Sequence, residues 1–199
     1  MTGQLVSTTM DAIRLVTGNY GLIMRNDGSS FYLLPTNSGD PYGTWNSGAT
    51  SVRVELATGA LYGAVWNDYA EFREANTTEP GRIVYEVGDD TLALASERMM
   101  PACSIISDTF GFALGETEKC KTPLAQAGRV LAYPHEDRNS YKPGDAVCSG
   151  PNGTVSKMTH EEKINHPECI IGYVSCVPTY ETWGEKDTKV NGRIWIKVV

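Results

Sequence analysis

The stretch Asn67-Asp68-Tyr69-Ala70-Glu71 sets a carboxamide, two carboxylates and a phenol within five residues, directly after a run of strand-forming side chains. Side chains of these types, so close to a peptide bond, can act on that bond. The Asp68 carboxylate reaches the Asn67 carbonyl carbon through a six-membered ring. The Asn67 side-chain nitrogen closes a five-membered ring on the same carbon. Intramolecular nucleophiles in good geometry act at effective molarities of roughly 10⁵ M or more. Asp68 and Glu71 stand three apart, so one turn of chain would bring both carboxylates to the same side. Glu71, kept protonated by burial or by Asp68, would then supply the proton to the leaving nitrogen. Spacing alone favours a plainer role, since Asp and Glu at a strand exit are commonly solvated or cap a helix.

Other chemistries have less support. The Gly-rich stretches GETEKCKT (115–122) and SGPNGT (149–154) are not GxxxxGK[ST] and read as turns. No Gly-x-Ser-x-Gly elbow is present. Cys103, Cys120, Cys148, Cys169 and Cys176 form no CxxC pair and read as reduced thiols. Cys148 and Cys176 lie beside strand-like runs, where cysteine behaves as a small apolar residue. His135, His160 and His166 lack the four ordered ligands of a zinc site, so no metal and no cofactor are expected. Composition leaves a carboxylate pair for polysaccharide cleavage open. Tyr20, Phe31, Tyr32, Tyr42, Trp45, Tyr62 and Trp66 crowd the first third of the chain; they fill small cores or stack on a sugar.

The elements that must hold such a site are β-strands. The 199 residues suffice for one good-sized domain or two small ones. A net charge of −7 without a Lys/Arg cluster speaks against nucleic acid or an anionic membrane. No apolar run reaches the roughly 20 residues that span a bilayer, and no secretory signal pattern opens the chain. Met1-Thr2-Gly3-Gln4 reads as a start inside a longer parent chain.

Residues 1–66 read as short strands (21–25, 30–34, 51–56 and 60–65) between turns such as Asn26-Asp27-Gly28 and Thr58-Gly59, with 5–16 either strand or helix. So little core calls for partners, most simply copies of the same chain. Residues 67–199 read as one compact β-sandwich or barrel-like domain built on a duplicated motif. Pro80-Gly81, strand, Gly88-Asp89-Asp90, strand and SIISDTFGFALG (104–115) are echoed by Pro143-Gly144, strand, Gly150–Gly153, strand and CIIGYVS (169–175). AGRVLAYP (127–134) and GRIWIKVV (192–199) supply further strands. One short helix is predicted over 159–165, where Thr159 and Glu162 form a capping box.

The line WNDYAEFRE, the Pro-Gly strand pairs and the closing IIGYVS…P (170–178) together resemble the autoproteolytic intramolecular-chaperone domain of bacteriophage neck appendages and tail spikes. Its core motif, Asp-Tyr-Ala-Glu, stands here as Asp68-Tyr69-Ala70-Glu71. Upstream, YGLIMRNDGSSFYLLPTNSGDPYGTWNS (20–47) resembles a segment of phage tail fibres. The resemblance implies a trimeric fibre tip over 1–66, a trimer-templating chaperone over 67–199, and self-cleavage at Asn67–Asp68 by Asp68 and Glu71. It implies a virion protein assembled in the host cytoplasm, with other tail or baseplate proteins and a bacterial surface glycan as partners. Relatives carry a small residue such as Ser or Ala before the motif Asp, where this chain has Asn67. The competing expectation is a permanent, non-catalytic tip that holds a glycan through Trp45 and its neighbours.

Overall fold

The computed structural model describes residues 11–17, 20–26, 30–35, 52–57, 61–62, 67–88, 91–101, 103–184 and 187–199. The chain divides into two compact units, Met1–Val65 and Trp66–Val199. Tyr42, Trp45 and Trp66 lie outside the described residues.

The first unit is an antiparallel meander of β1 (Asp11–Thr17), β2 (Tyr20–Asn26), β3 (Ser30–Pro35), β4 (Val52–Glu55) and β5 (Leu61–Tyr62), paired in chain order. The ambiguous opening segment is thus a strand over its described part. Asn26 pairs with Phe31 across the expected Asp-Gly hairpin, and Arg53 with Tyr62 across the Thr-Gly one. Leu34 is buried, and Phe31 and Tyr32 are half-buried.

The second unit contains β6 (Asp68–Ala75), β7 (Ile83–Gly88), β8 (Thr91–Leu94), β9 (Cys103–Ile106), β10 (Phe110–Leu114), β11 (Thr122–Ala132), β12 (Ala146–Gly150), β13 (Thr154–Lys157), β14 (Gly172–Cys176), β15 (Thr182–Trp183), β16 (Thr188–Lys189) and β17 (Ile194–Val198). The duplication is real in space. In each copy the first strand lies in the middle, with the second and third antiparallel on either side: β8-β7-β9 and β13-β12-β14. The Pro-Gly turns match as well. Gly81 and Gly144 take φ of +86° and +92°, and the turns close with Arg82 N–H to Glu79 O and Asp145 N–H to Lys142 O. Only glycine holds such φ values without strain, and proline presets the residue before it.

The order β6-β8-β7-β9-β11, with β11 pairing back to β6, closes a five-stranded ring. A second ring runs β11-β17-β14-β12-β13. Its closure is a parallel bridge between Pro134, just past β11, and Val155 in β13. His135 N–H donates to Val155 O and Val155 N–H to Tyr133 O, both at 2.8 Å. The two rings share β11.

Both faces of the central strands are buried, which explains their nearly continuous apolar text. Ile83, Ile105, Ala125, Val130, Val147, Ile194 and Ile196 form one cluster. Val84, Leu92, Ile106 and Leu124, the alternate residues of neighbouring strands, form another.

The short helix α1 (His160–Asn165) has its capping box in place: Glu162 N–H donates to Thr159 Oγ1, and Thr159 N–H donates to Glu162 Oε2 at 2.7 Å. Arg98 forks onto the same Glu162 carboxylate, holding it down to about 2. Six residues are too few to sustain a helix without such ends. Thr159→Ala is expected to lower stability by about 1 kcal/mol, read as a shift in the urea midpoint at unchanged slope.

Candidate functional site

Asp68 is the first residue of β6, and Asn67 stands in a bend just before it. β6 pairs with β11 on one side and, over its first half, with β10 on the other; Asp68 registers with Gly128 and with Phe110. The strand assignment corrects one expectation. In a strand successive side chains alternate faces, so residues three apart point to opposite sides. Asp68 and Ala70 are buried on one face. Tyr69 and Glu71 occupy the other, where Tyr69 stacks on Phe112 with centroids 5.8 Å apart. Glu71 and Asp68 therefore do not share a side within one chain.

Asp68 is almost wholly buried, 2% exposed. Thr109 Oγ1 donates to its Oδ1 at 2.8 Å, while Oδ2 is buried with no hydrogen-bond partner. Burial pushes the carboxyl up to about 6, against the Ser107 and Thr109 hydroxyls beside it that pull it down; nearby Asp108 adds to the rise. The Ser107-Asp108-Thr109 connection between β9 and β10 is itself fixed. Ser107 N–H donates to Pro123 O at 2.8 Å, and Thr109 N–H to Ser107 Oγ at 3.0 Å. Buried Arg193 grips both Asp108 oxygens at 2.9 and 2.8 Å. Arg193 also donates to the backbone oxygens of Val190 and Lys189. A partly buried ion pair this well satisfied acts as a post for the loop that aims Thr109 at Asp68.

The peptide joining Asn67 to Asp68 is clamped by β11. Arg129 N–H donates to the Asn67 carbonyl oxygen at 2.8 Å, and Arg129 Nη2 donates to Asn67 Oδ1 at 3.1 Å. The Asn67 Nδ2 atom is buried and unpartnered. Gly128 lies flat against this bond: a Cβ there would fall 2.2 Å from Asn67 O and 2.8 Å from Asp68 Cα. A backbone N–H aimed at a carbonyl oxygen stabilises negative charge that develops there, which is the requirement of any attack on that carbon.

Of the residues singled out by sequence, Asn67 and Asp68 come together at one peptide bond and Glu71 turns away. Ser107, Thr109, Gly128 and Arg129 were not anticipated. Two signals existed: the polar triplet Ser107-Asp108-Thr109 inside an apolar run, and Gly128 as the second residue of the strand text of 127–134, a mark of close backbone approach. Among the described residues, no group of three or more His, Cys, Asp or Glu side chains is arranged to hold a metal ion.

Residues 1–50 match the family model "Long-tail fiber proximal subunit, C-terminal, trimerization domain". Over 59 residues the chain is 44% identical to Tail fiber protein S of Escherichia phage Mu, a match that covers 30% of this chain and 12% of that relative. The two similarities support a phage tail fibre protein.

Proposed function

From the premise of a phage tail fibre protein, we propose that the chain works as a homotrimer in the virion and that its second unit is an intramolecular chaperone that cuts itself free at Asn67–Asp68. The match of residues 1–50 to a trimerization domain supports the trimer. Other tail proteins and a host surface glycan are partners of the assembled fibre, which is put together in the host cytoplasm.

One observation carries the cleavage: the Asn67 carbonyl oxygen accepts a backbone N–H from Arg129 while the buried Asp68 carboxyl sits on the adjoining residue with one oxygen unpartnered. The electrophile is polarised and the neighbouring acid–base group is buried. Cleavage after assembly makes a trimer kinetically hard to undo, because the folding template is gone.

The experiment is the intact mass of freshly purified full-length chain under denaturing conditions, followed over days. Two fragments meeting at Asn67–Asp68 are expected, with Asp68→Ala remaining whole. A wild-type chain that stays whole overturns the cleavage. Glu71→Gln separates two cases. If it cuts normally, Glu71 has no part in the chemistry. If it folds and does not cut, the proton comes from the Glu71 of a neighbouring copy, since within one chain that side chain lies on the other face.

The placement of Glu71 also favours a second reading, a permanent fibre tip in which Asp68 and Glu71 are structural. The same mass measurement decides between the two.

A further inference from the structure

Resting on that self-cleavage reading, we propose that the bond is broken by the carboxamide of Asn67 itself, with Asp68 carrying the proton, so that the upstream product ends in a cyclic succinimide rather than a free carboxylate.

Three features of the site point to the carboxamide. Its oxygen is held by the Arg129 guanidinium at 3.1 Å, which fixes which end of the amide is the nitrogen. A cation on an amide oxygen also draws electron density from the nitrogen and makes its protons easier to remove. That nitrogen, Nδ2, is buried and bonded to nothing, so no hydrogen bond has to be broken before it attacks. The target oxygen, on the same residue, takes the Arg129 backbone N–H at 2.8 Å, positioned for the oxyanion that the attack creates. One residue of β11 thus orients the nucleophile with its side chain and activates the electrophile with its backbone.

The site also holds a proton carrier, and that carrier is closed off from solvent. Asp68 Oδ1 is tied to Thr109 Oγ1 at 2.8 Å, leaving the buried, unpartnered Oδ2 as the available base. Attack by the Asp68 carboxylate would instead give a mixed anhydride that water must open. The carboxyl is 2% exposed, which leaves water little access.

The step balances without a co-reactant. Nδ2 gives a proton to Asp68 Oδ2, and Nδ2 bonds to the Asn67 carbonyl carbon, closing a five-membered ring. The bond from that carbon to the Asp68 nitrogen breaks. The leaving nitrogen takes the proton from the Asp68 carboxyl and becomes a free amine. No water is consumed. The products are residues 1–67 ending in a succinimide and residues 68–199 beginning with Asp68.

The test weighs the fragments of the full-length chain, quenched in acid at the earliest times that show them. The expected result is that the two masses sum to the uncut chain and that the upstream fragment takes up hydroxylamine. A sum larger by one water at those times, with no hydroxylamine adduct, overturns the proposal and leaves self-cleavage standing. Asn67→Asp keeps an oxygen for Arg129 and removes Nδ2, and is expected to slow cutting by about 100-fold or more, given the advantage of an intramolecular nucleophile. A folded Asn67→Asp chain that cuts at the wild-type rate overturns it too. A wild-type chain that never cuts removes the self-cleavage reading itself and this proposal with it.

Discussion

Gly128→Ala should abolish the proposed cutting and destabilise the second unit together. Gly128 has φ of +104°, and its added Cβ would meet the Asn67 carbonyl oxygen at 2.2 Å and the Asp68 Cα at 2.8 Å. Neither contact can be relieved by a side chain swinging aside, because both partners are backbone. Strand β11 must retreat from β6 at the register pair Gly128–Asp68, and Arg129 N–H then leaves the Asn67 oxygen. The left-handed backbone of a non-glycine residue costs about 1–3 kcal/mol before the clash is counted. Loss of a single donor to a developing oxyanion slows catalysis by about 10²–10³-fold. The measurements are the urea midpoint and the fraction cut over time. A variant with wild-type stability and wild-type cutting would show that β11 does not clamp this bond.

Asp68→Asn is expected to make the protein more stable at neutral pH, although it removes a group that the proposed reaction uses. Burial raises the Asp68 carboxyl from an ordinary value of 3.8 to about 6. Between those values the folded chain holds a proton that the unfolded chain has released, so stability falls as pH climbs from about 4 to about 6 and stays low above. One pH unit of displaced titration is worth about 1.4 kcal/mol, which puts the deficit at about 3 kcal/mol at pH 7. Glu162 runs the other way but elsewhere. Held down to about 2, it contributes stability above its unfolded value of 4.5 and loses it only as pH falls toward 2. The window from 4.5 to 6 therefore reports Asp68. Urea titrations at several pH values should show wild type weakening across that window and Asp68→Asn holding level. A wild-type curve that is flat there would mean that the carboxyl ionises as readily as in water.

These expectations stand on parts of the molecule that the sequence disclosed unevenly. The Pro-Gly turns at 80–81 and 143–144 and the capping box at Thr159 were legible because they are local: a glycine, a proline or a hydroxyl at a fixed offset decides the backbone there. The duplicated strand order was legible for a related reason, since two copies of the same local signals imply two copies of the same pairing. The site was half legible. Asn67 and Asp68 are neighbours in the chain, so their joint chemistry could be read from the letters. Arg129 and Thr109 reach that bond from 62 and 41 residues away, and no local signal connects them to it. Glu71 shows the limit most directly. Its spacing from Asp68 suits a turn, but the residues between them sit in a strand paired on both sides, and Phe72 and Arg73 continue it along β11. Pairing with β10 and β11 decided the period, and the period decided which way Glu71 points.

The strand shared by the two rings has a consequence for what the gene can tolerate. Insertion of one residue in β8 or β13 would disturb a single ring, and deletion of a hairpin would damage one copy of the motif. Insertion in the middle of β11 would turn over the faces of a strand that serves both, since a shift of one residue exchanges inside for outside. The duplicated halves are therefore coupled through one strand, and a recombination joint that respects the fold must fall outside Thr122–Ala132.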